Sequence, residues 1–522
     1  MLKRILSLML ILMLALGALA GCAAAPAEEP AAEEPAGEEP AAEEPAAEEP
    51  AETKDTIVVA LSADVTSLDP MGHNDTKSEK VSFLVFNRLF RLNTDFEVVP
   101  DLAESWEQPT PEEWVIKIKE GVTFHDGSDL TADDVVYSLN RSKEMPKVQQ
   151  VLSEVASVEK VDEYTVKVTT NTPFAPFLYT LVHAGTSIVP ENAAPAGEEI
   201  TDPVGSGPYT FKEWQSGDKV TLEKFDGYFD ADNMGQTQNI VFRIIPEGTS
   251  RTIALETGEV DVVDELETID IEKVESNPDL SLLTKPSTKL DFFAMNSEKE
   301  PFGNEMVRQA FNYAIDKEAV MEVAINGAGV IADSIMAPSF LGYKPGPYSY
   351  DPEKAKELLA AAGYGDGLDI VIWASGDERK RIAEVVQAYL LDVGVTSSIE
   401  MFEWGTYIDR ILAGEAQTFV LAWTSNPDPD ATLTPHYFSG NIGGMNFSRT
   451  NDPSIDEQLK TAREELDLEK RRTLYEAFHA YVMEKAPIVP LFVKSNVTGA
   501  NAALKGVELS PQGLWNIEKI HY

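Results

Sequence analysis

Two tryptophans and one short polar loop carry the residues of this 522-residue chain best suited to recognising a small molecule. Trp404 follows one apolar stretch; Trp423 ends another and leads into Thr424-Ser425-Asn426-Pro427-Asp428-Pro429-Asp430. An indole offers a rigid face and one N–H donor, while amides and carboxylates add directional hydrogen bonds and charge. The plainer reading is core packing for each tryptophan and a turn with solvated carboxylates for Asp428 and Asp430. Patterns for catalysis are absent from the sequence: there is no phosphate loop, nucleophile elbow, paired-histidine zinc motif or dinucleotide glycine fingerprint. The six histidines, His73, His125, His183, His436, His479 and His521, are scattered, and the one cysteine, Cys22, excludes a disulfide framework or a multi-cysteine metal site. Residues 230–235 have the look of a calcium loop, but Met234 occupies a ligand position and Val241 stands where the bidentate glutamate belongs, so a turn is expected.

The elements that must position these residues read as mixed α/β. An apolar strand at 368–374, an amphipathic helix at 378–392 stopped by Gly394 and a strand at 395–402 form a βαβ crossover, whose strands should be parallel. A further strand at 418–422 delivers the chain to Trp423. Both tryptophans then lie just past strand ends, where open α/β sheets bind ligands. Earlier, Trp114, Ile116 and Ile118 alternate with less apolar neighbours, as do Tyr164, Val166 and Val168, marking half-buried strands. Thr131 and Asp134 suit a capping box for the helix that follows. A helix at 249–257 stopped by Gly258, a strand at 260–263 and a glycine-proline break at 205–209 complete the punctuation.

Composition bounds the function classes. The formal charge of −46 excludes a protein that grips nucleic acid by neutralising phosphates, and 43% apolar residues exclude wholesale disorder. Lys3 and Arg4 precede an apolar run too short for a comfortable bilayer span but suited to export, closing on Leu19-Ala20-Gly21-Cys22. From 23 to 52 the chain repeats Ala, Glu and Pro around a five-residue period with no large apolar side chain, so a solvated spacer reaching up to about 3.1 Å per residue is expected there. Eleven of the 88 acidic residues fall in that spacer, so most of the acidity belongs to the rest of the chain.

Several strings, in order and spacing, resemble the extracytoplasmic solute-binding proteins of the peptide/nickel class that serve ABC importers (family 5, dipeptide/oligopeptide-binding-like lipoproteins). They are Ser67-Leu68-Asp69-Pro70, Leu102-Ala103-Glu104-Ser105-Trp106, Gly121-Val122-Thr123-Phe124-His125-Asp126-Gly127, Val204-Gly205-Ser206-Gly207-Pro208-Tyr209, Tyr313-Ala314-Ile315-Asp316-Lys317 and Pro427-Asp428-Pro429-Asp430. Leu19 to Cys22 looks like a lipobox, which makes Cys22 the lipid anchor.

The resemblance implies an α/β, two-lobed periplasmic-binding-protein-like fold of class II, three-domain type. Its expected parts are a signal peptide at 1–21, a tether at 22–54, lobe 1 from 55–92, 201–290 and 490–522, an extra domain at 93–200 and lobe 2 at 291–489. It further implies capture of a small peptide or similar solute between lobes, delivery to permease subunits, a monomer at the extracytoplasmic membrane face, no catalysis, no cofactor and no metal. The ligand-binding set expected on this basis is Trp404, Trp423, Thr424, Ser425, Asn426, Asp428, His73 and Asn74. Many peptide-binding members place an aspartate three residues after the second tryptophan, where its charge holds the peptide's ammonium group; here that position is Asn426, in a loop one residue shorter. Either Asp428 takes over the role or the ligand lacks a free amino terminus. A nickel or other non-peptide solute, and from another class a secreted hydrolase, are the alternatives.

Overall fold

The computed structural model describes residues 54–522 except 192, 196 and 425–427. The expected signal segment, most of the expected spacer and Cys22 therefore lie outside the described residues, as do Ser425 and Asn426. Among those described, eleven strands form one mixed sheet. Its order runs 395–401, 368–374, 418–424, 280–295, 488–501, 262–263, 56–61, 239–244, 219–224 and 209–215, with 329–331 added on the strand Ile488–Asn501. The two central strands, Leu280–Met295 and Ile488–Asn501, are antiparallel and long enough to serve both halves of the sheet. Their pairing shifts register between Pro286 and Leu290 and again at Asp291. Proline has no N–H to give the ladder, and irregularities of this kind bend a strand pair and raise its twist.

Apolar side chains close each half separately. Around Thr56–Leu61 one core gathers Ile57, Val59, Leu61, Tyr209, Ile240 and Phe242. At the other end, Phe293, Phe311, Ile372, Val386 and Val420 pack on one face of the sheet, while Phe292, Tyr407, Phe419 and Phe478 pack on the opposite face. A four-stranded antiparallel sheet, ordered 103–110, 113–118, 165–170 and 155–162, stands apart on its own core. There the period-two reading holds: Trp114, Ile116, Ile118, Val166 and Val168 are all buried. Helix Ala132–Glu144 covers this core; Thr131 N donates to the Asp134 carboxylate at 2.8 Å.

The βαβ unit forms as expected, with Leu368–Ala374 and Val395–Met401 parallel and helix Gly376–Asp392 between them. Two expectations need correction. Trp423 does not lie past a strand end: the strand runs Thr418–Thr424, because Trp423 and Thr424 continue the ladder opposite Leu290 and Lys289. Trp404, by contrast, does lie just past the end of strand Val395–Met401, as the first residue of helix Trp404–Leu412, whose N-cap Glu403 accepts from the N–H groups of Gly405 and Thr406. The expected strand at 260–263 shortens to Val262–Val263, the only residues there with ladder partners on both sides.

Several motifs have structural reasons. Gly205 and Gly207 lie against the end of helix Thr76–Val85, where a Cβ would come within 1.9 Å of Val85 O and 2.4 Å of Leu84 O, so only glycine fits. His125 ties its own string to this one, with its ring at 2.9 Å from Gly207 O and its N–H donating to Gly205 O. Residues 231–233 form a short turn of helix after Asp230, in keeping with the turn expected there. The described body begins at Lys54, whose Nζ lies 2.6 Å from Asp261, and strand Thr56–Leu61 follows with parallel partners on both flanks.

Asp69 is fully buried and accepts both Arg141 terminal nitrogens, at 3.0 and 2.5 Å, together with the N–H groups of Met71 and Ile200. One carboxylate thus fastens the 67–70 loop to helix Ala132–Glu144 and to the segment around Ile200. Removing one partner of a buried, hydrogen-bonded ion pair leaves the other charge stranded. Asp69→Ala is therefore expected to cost about 3–5 kcal/mol, read as a fall in the urea midpoint at unchanged slope; a loss below about 1 kcal/mol would show that the pair is dispensable.

Candidate functional site

A cleft of about 720 Å³ opens where the two long strands pass between the halves of the sheet. One wall comes from residues 73–76, Glu79, Lys80, Pro246, Arg251 and residues 264–268, the other from Ala324, Ile325, Glu378, Arg381 and Thr424. Lys289 and residues 494–498, on the shared strands, form the floor. Three of the residues expected from sequence meet here: His73, Asn74 and Thr424.

The first wall is anchored by helix Thr76–Val85. Asp75 caps it, accepting from the N–H groups of Lys77 and Ser78. Lys77 and Lys80 turn toward the loop after Val263: Lys77 Nζ lies 2.6 Å from Glu265 Oε1 and Lys80 Nζ 3.4 Å from Asp264 Oδ2. Glu265 adopts a left-handed backbone, φ 60°, an uncommon conformation for a non-glycine residue. Arg251 holds that loop in place by donating to the carbonyls of Ile245, Pro246 and Glu265. Burial would push Glu265 up, but Lys77 and the Ser62 hydroxyl outweigh it and leave the carboxyl below its ordinary range.

Two histidines stand on this wall. His73 is buried, its Nε2 at 2.9 Å from Ser82 Oγ, and burial lowers its pKa. His183 accepts the Gly185 N–H at Nδ1, and burial takes its pKa down to about 4. A neutral ring that accepts at Nδ1 carries its proton on Nε2, so His183 is set as an uncharged donor at physiological pH.

The opposite wall and floor carry cations in an otherwise acidic protein. Lys289 and Lys494, one from each long strand, both approach Glu378, which lies 2.9 Å from Lys494 and 3.9 Å from Lys289. Burial works against its ionisation, yet Lys494, Lys289 and Arg379 keep the Glu378 carboxyl low. Beneath them, Asp291 is 1% exposed, its Oδ2 has no hydrogen-bond partner among the described residues, and Lys289 Nζ is 3.9 Å away. Desolvation therefore dominates and raises its pKa to about 6.

The remaining expected residues lie elsewhere. Trp423 adjoins Thr424 but borders a small separate cavity, its ring 4.7 Å from that of His436. Trp423 Nε1, His436 Nε2 and the hydroxyls of Thr288 and Thr432 lack partners there among the described residues, in about the room that one water needs. Trp404 is 48% exposed, beneath the Arg379 guanidinium at 4.8 Å, and is not among the residues lining the cleft. Asp428 requires a correction: it is 2% exposed and both its oxygens accept from Arg471, at 2.5 and 2.7 Å, so its charge is spent inside the protein. Asp430, also buried, is taken by Arg463 rather than solvated.

Lys289, Glu378, Arg381, Lys494 and His183 were not reached from sequence. Lys289 and Lys494 meet at Glu378 from strands some two hundred residues apart in sequence, and no local pattern encodes it. Arg381 and Glu378 read as the polar face of an amphipathic helix.

Asp291 makes the floor sensitive to pH. Its folded pKa, about 6, exceeds the value of about 3.9 expected of an unfolded aspartate, so the native state binds the proton more tightly. The associated stability is complete below about pH 4 and is lost as pH rises through 6. Asp291→Asn should flatten stability against pH across that window and make the variant more stable than the parent at pH 7.5, by up to about 3 kcal/mol. Denaturant melts at pH 4.5 and 7.5 test this, and a variant equally or less stable at pH 7.5 would contradict it.

Residues 97–444 match the model of bacterial extracellular solute-binding proteins, family 5 middle region. Over 471 residues, covering 82% of this chain and 85% of the relative, the protein is 32% identical to heme-binding protein A of Haemophilus influenzae. It is 31% identical to the dipeptide-binding protein of Escherichia coli over 485 residues, covering 85% and 90% of the two chains. The solved structure of HbpA2 from Haemophilus parasuis superposes with a TM-score of 0.82 at 30% identity, covering 89% of this chain and 99% of that one. With a two-walled cleft over a shared strand floor, and a family match across two thirds of its length, this chain belongs to the bacterial extracellular solute-binding proteins of family 5.

Proposed function

We propose that the protein captures a small peptide or peptide-like solute in this cleft and delivers it to the membrane subunits of an ABC importer. The observation that carries the reading is the cleft itself: its volume lies within the range of small-molecule sites, and its walls belong to two halves joined by continuous strands. The names of the relatives, dipeptide-binding in one case and heme-binding in another, support a solute receptor and favour a peptide through the former. Each wall pairs carboxylates with cations, Asp264 and Glu265 with Lys77 and Lys80 on one and Glu378 with Lys289 and Lys494 on the other, so both ends of a zwitterion can find a partner by exchange. The work done is preferential stabilisation of a closed arrangement of the lobes, with no bond made or broken. The lobes in this reading are 55–92, 201–290 and 490–522 on one side and 291–489 on the other, with 93–200 as the extra domain.

Cys22 is the proposed lipid anchor, holding a monomer at the extracytoplasmic face of the cell membrane through the acidic spacer. No helix among the described residues is long and apolar enough to cross a membrane. At the loop after Trp423, Asn426 stands where many peptide-binding members carry an aspartate, and with Asp428 committed to Arg471 the neighbouring carboxylate does not substitute for it. Trp404, Trp423 and Ser425 belong to the proposed binding set as residues that reach solute when the lobes close.

Native mass spectrometry of protein purified from cells should release a bound solute on denaturation. A peptide panel should then raise the melting temperature, by the equivalent of about 2.7 kcal/mol at a hundredfold excess over Kd. Recovery of no solute together with no shift anywhere in the panel would defeat the proposal. Asn426→Asp should strengthen binding of peptides with free amino termini by about tenfold, since a charge-assisted hydrogen bond is roughly twice as strong as a neutral one, and leave N-acetylated ones unchanged. An equal effect on both kinds would mean that this loop does not meet the amino terminus.

A further inference from the structure

We propose that a recess off the cleft, headed by Arg88, is a carboxylate-binding site. It is filled either by a free small carboxylate or by an acidic arm of the solute in the cleft; the second source rests on the solute-capture reading. The recess, about 70 Å³, lies between helix Thr76–Val85 and residues 512–518. Glu79, Lys80 and Gln512 line both it and the cleft, so the two spaces adjoin.

Arg88 carries the argument. It is 5% exposed, and its Nε and Nη1 have no acceptor among the described residues. Leaving donors of a buried cation unpaired is costly, so a partner is called for. The guanidinium stacks 3.7 Å over the Phe83 ring, which fixes its plane, and Trp515 meets Phe83 edge-on to form the apolar wall.

The nearby acids do not supply the missing acceptor. Asp101 uses Oδ1 for the Asn87 amide and Oδ2 for the backbone N–H of Arg88, both at 2.9 Å. Burial raises Glu79 and Glu518 above the ordinary carboxylate range, against the opposing pull of Arg88 on Glu79 and of Arg91 on Glu518. A raised carboxyl keeps its proton more readily and then donates. The recess therefore offers a fixed planar cation and donors between aromatic walls, and a carboxylate is the small group that matches that plane with paired oxygens.

Calorimetric titration of the full chain with succinate, Ala-Glu and Ala-Gln separates the two sources. If a free carboxylate fills the recess, succinate binds the parent and Arg88→Gln weakens it at least tenfold while both dipeptides are unaffected. If the solute's arm fills it, Ala-Glu binds at least tenfold more tightly than Ala-Gln, and Arg88→Gln erases the difference. Arg88→Lys, which keeps charge without the planar fork, should retain part of either effect. Titrations of succinate and Ala-Glu that are the same in the parent and both variants overturn the inference, and continued binding of Ala-Gln would leave solute capture intact. Loss of all dipeptide binding with the succinate effect preserved would do the reverse. Should the variants not fold, crystals of the parent grown with succinate or with Ala-Glu decide it: a carboxylate within hydrogen-bond distance of Arg88 supports the site, and its absence from both overturns it.

Discussion

The pairing of Leu280–Met295 with Ile488–Asn501 is the constraint on which the rest of this molecule depends. Neither half of the large sheet is closed without these strands, because each lends one end to either half. A ladder that runs through both halves fixes their strand order while leaving its own irregular middle, between Pro286 and Asp291, as the place where twist can change. The cleft sits over that middle. Site and joint thus share residues: Ser287 and Lys289 line the cleft, and Asp291 is buried behind Lys289.

Charge follows the same plan. The chain is strongly acidic, yet the cleft floor gathers Lys289 and Lys494, held apart from mutual repulsion by Glu378. The opposite wall reverses the arrangement, with Asp264 and Glu265 balanced by Lys77 and Lys80. Each wall is nearly neutralised from within, so a bound solute exchanges partners with existing pairs rather than meeting bare charge. Net charge alone said little about what the cleft accepts.

Much of this architecture was legible in the residues. The βαβ unit declared itself through an apolar strand, an amphipathic helix and a glycine stop, and the alternation from Trp114 to Ile118 marked a half-buried strand because both signals are local. Of the candidate site only His73, Asn74 and Thr424 were legible, the first two on a loop and Thr424 at the end of a strand next to the polar loop that drew attention to it. Asp428 misled because its partner, Arg471, lies on a helix 43 residues further on, and a buried ion pair leaves no mark in the sequence around either member. Trp423 misled because strand length is set by the neighbour it pairs with, here Leu290, rather than by its own apolar run. The glycines at 205 and 207 were recognised as punctuation, but their cause is the closeness of a helix end.

Strand Thr56–Leu61, with parallel neighbours on both flanks, has a mechanical consequence. A pull applied at Lys54 along the strand loads the whole ladder from Thr56 opposite Asn239 to Leu61 opposite Ile244 at once, in shear, instead of opening it one rung at a time. Tension applied at Lys54 is therefore shared among several strands of the large sheet before it reaches the cleft.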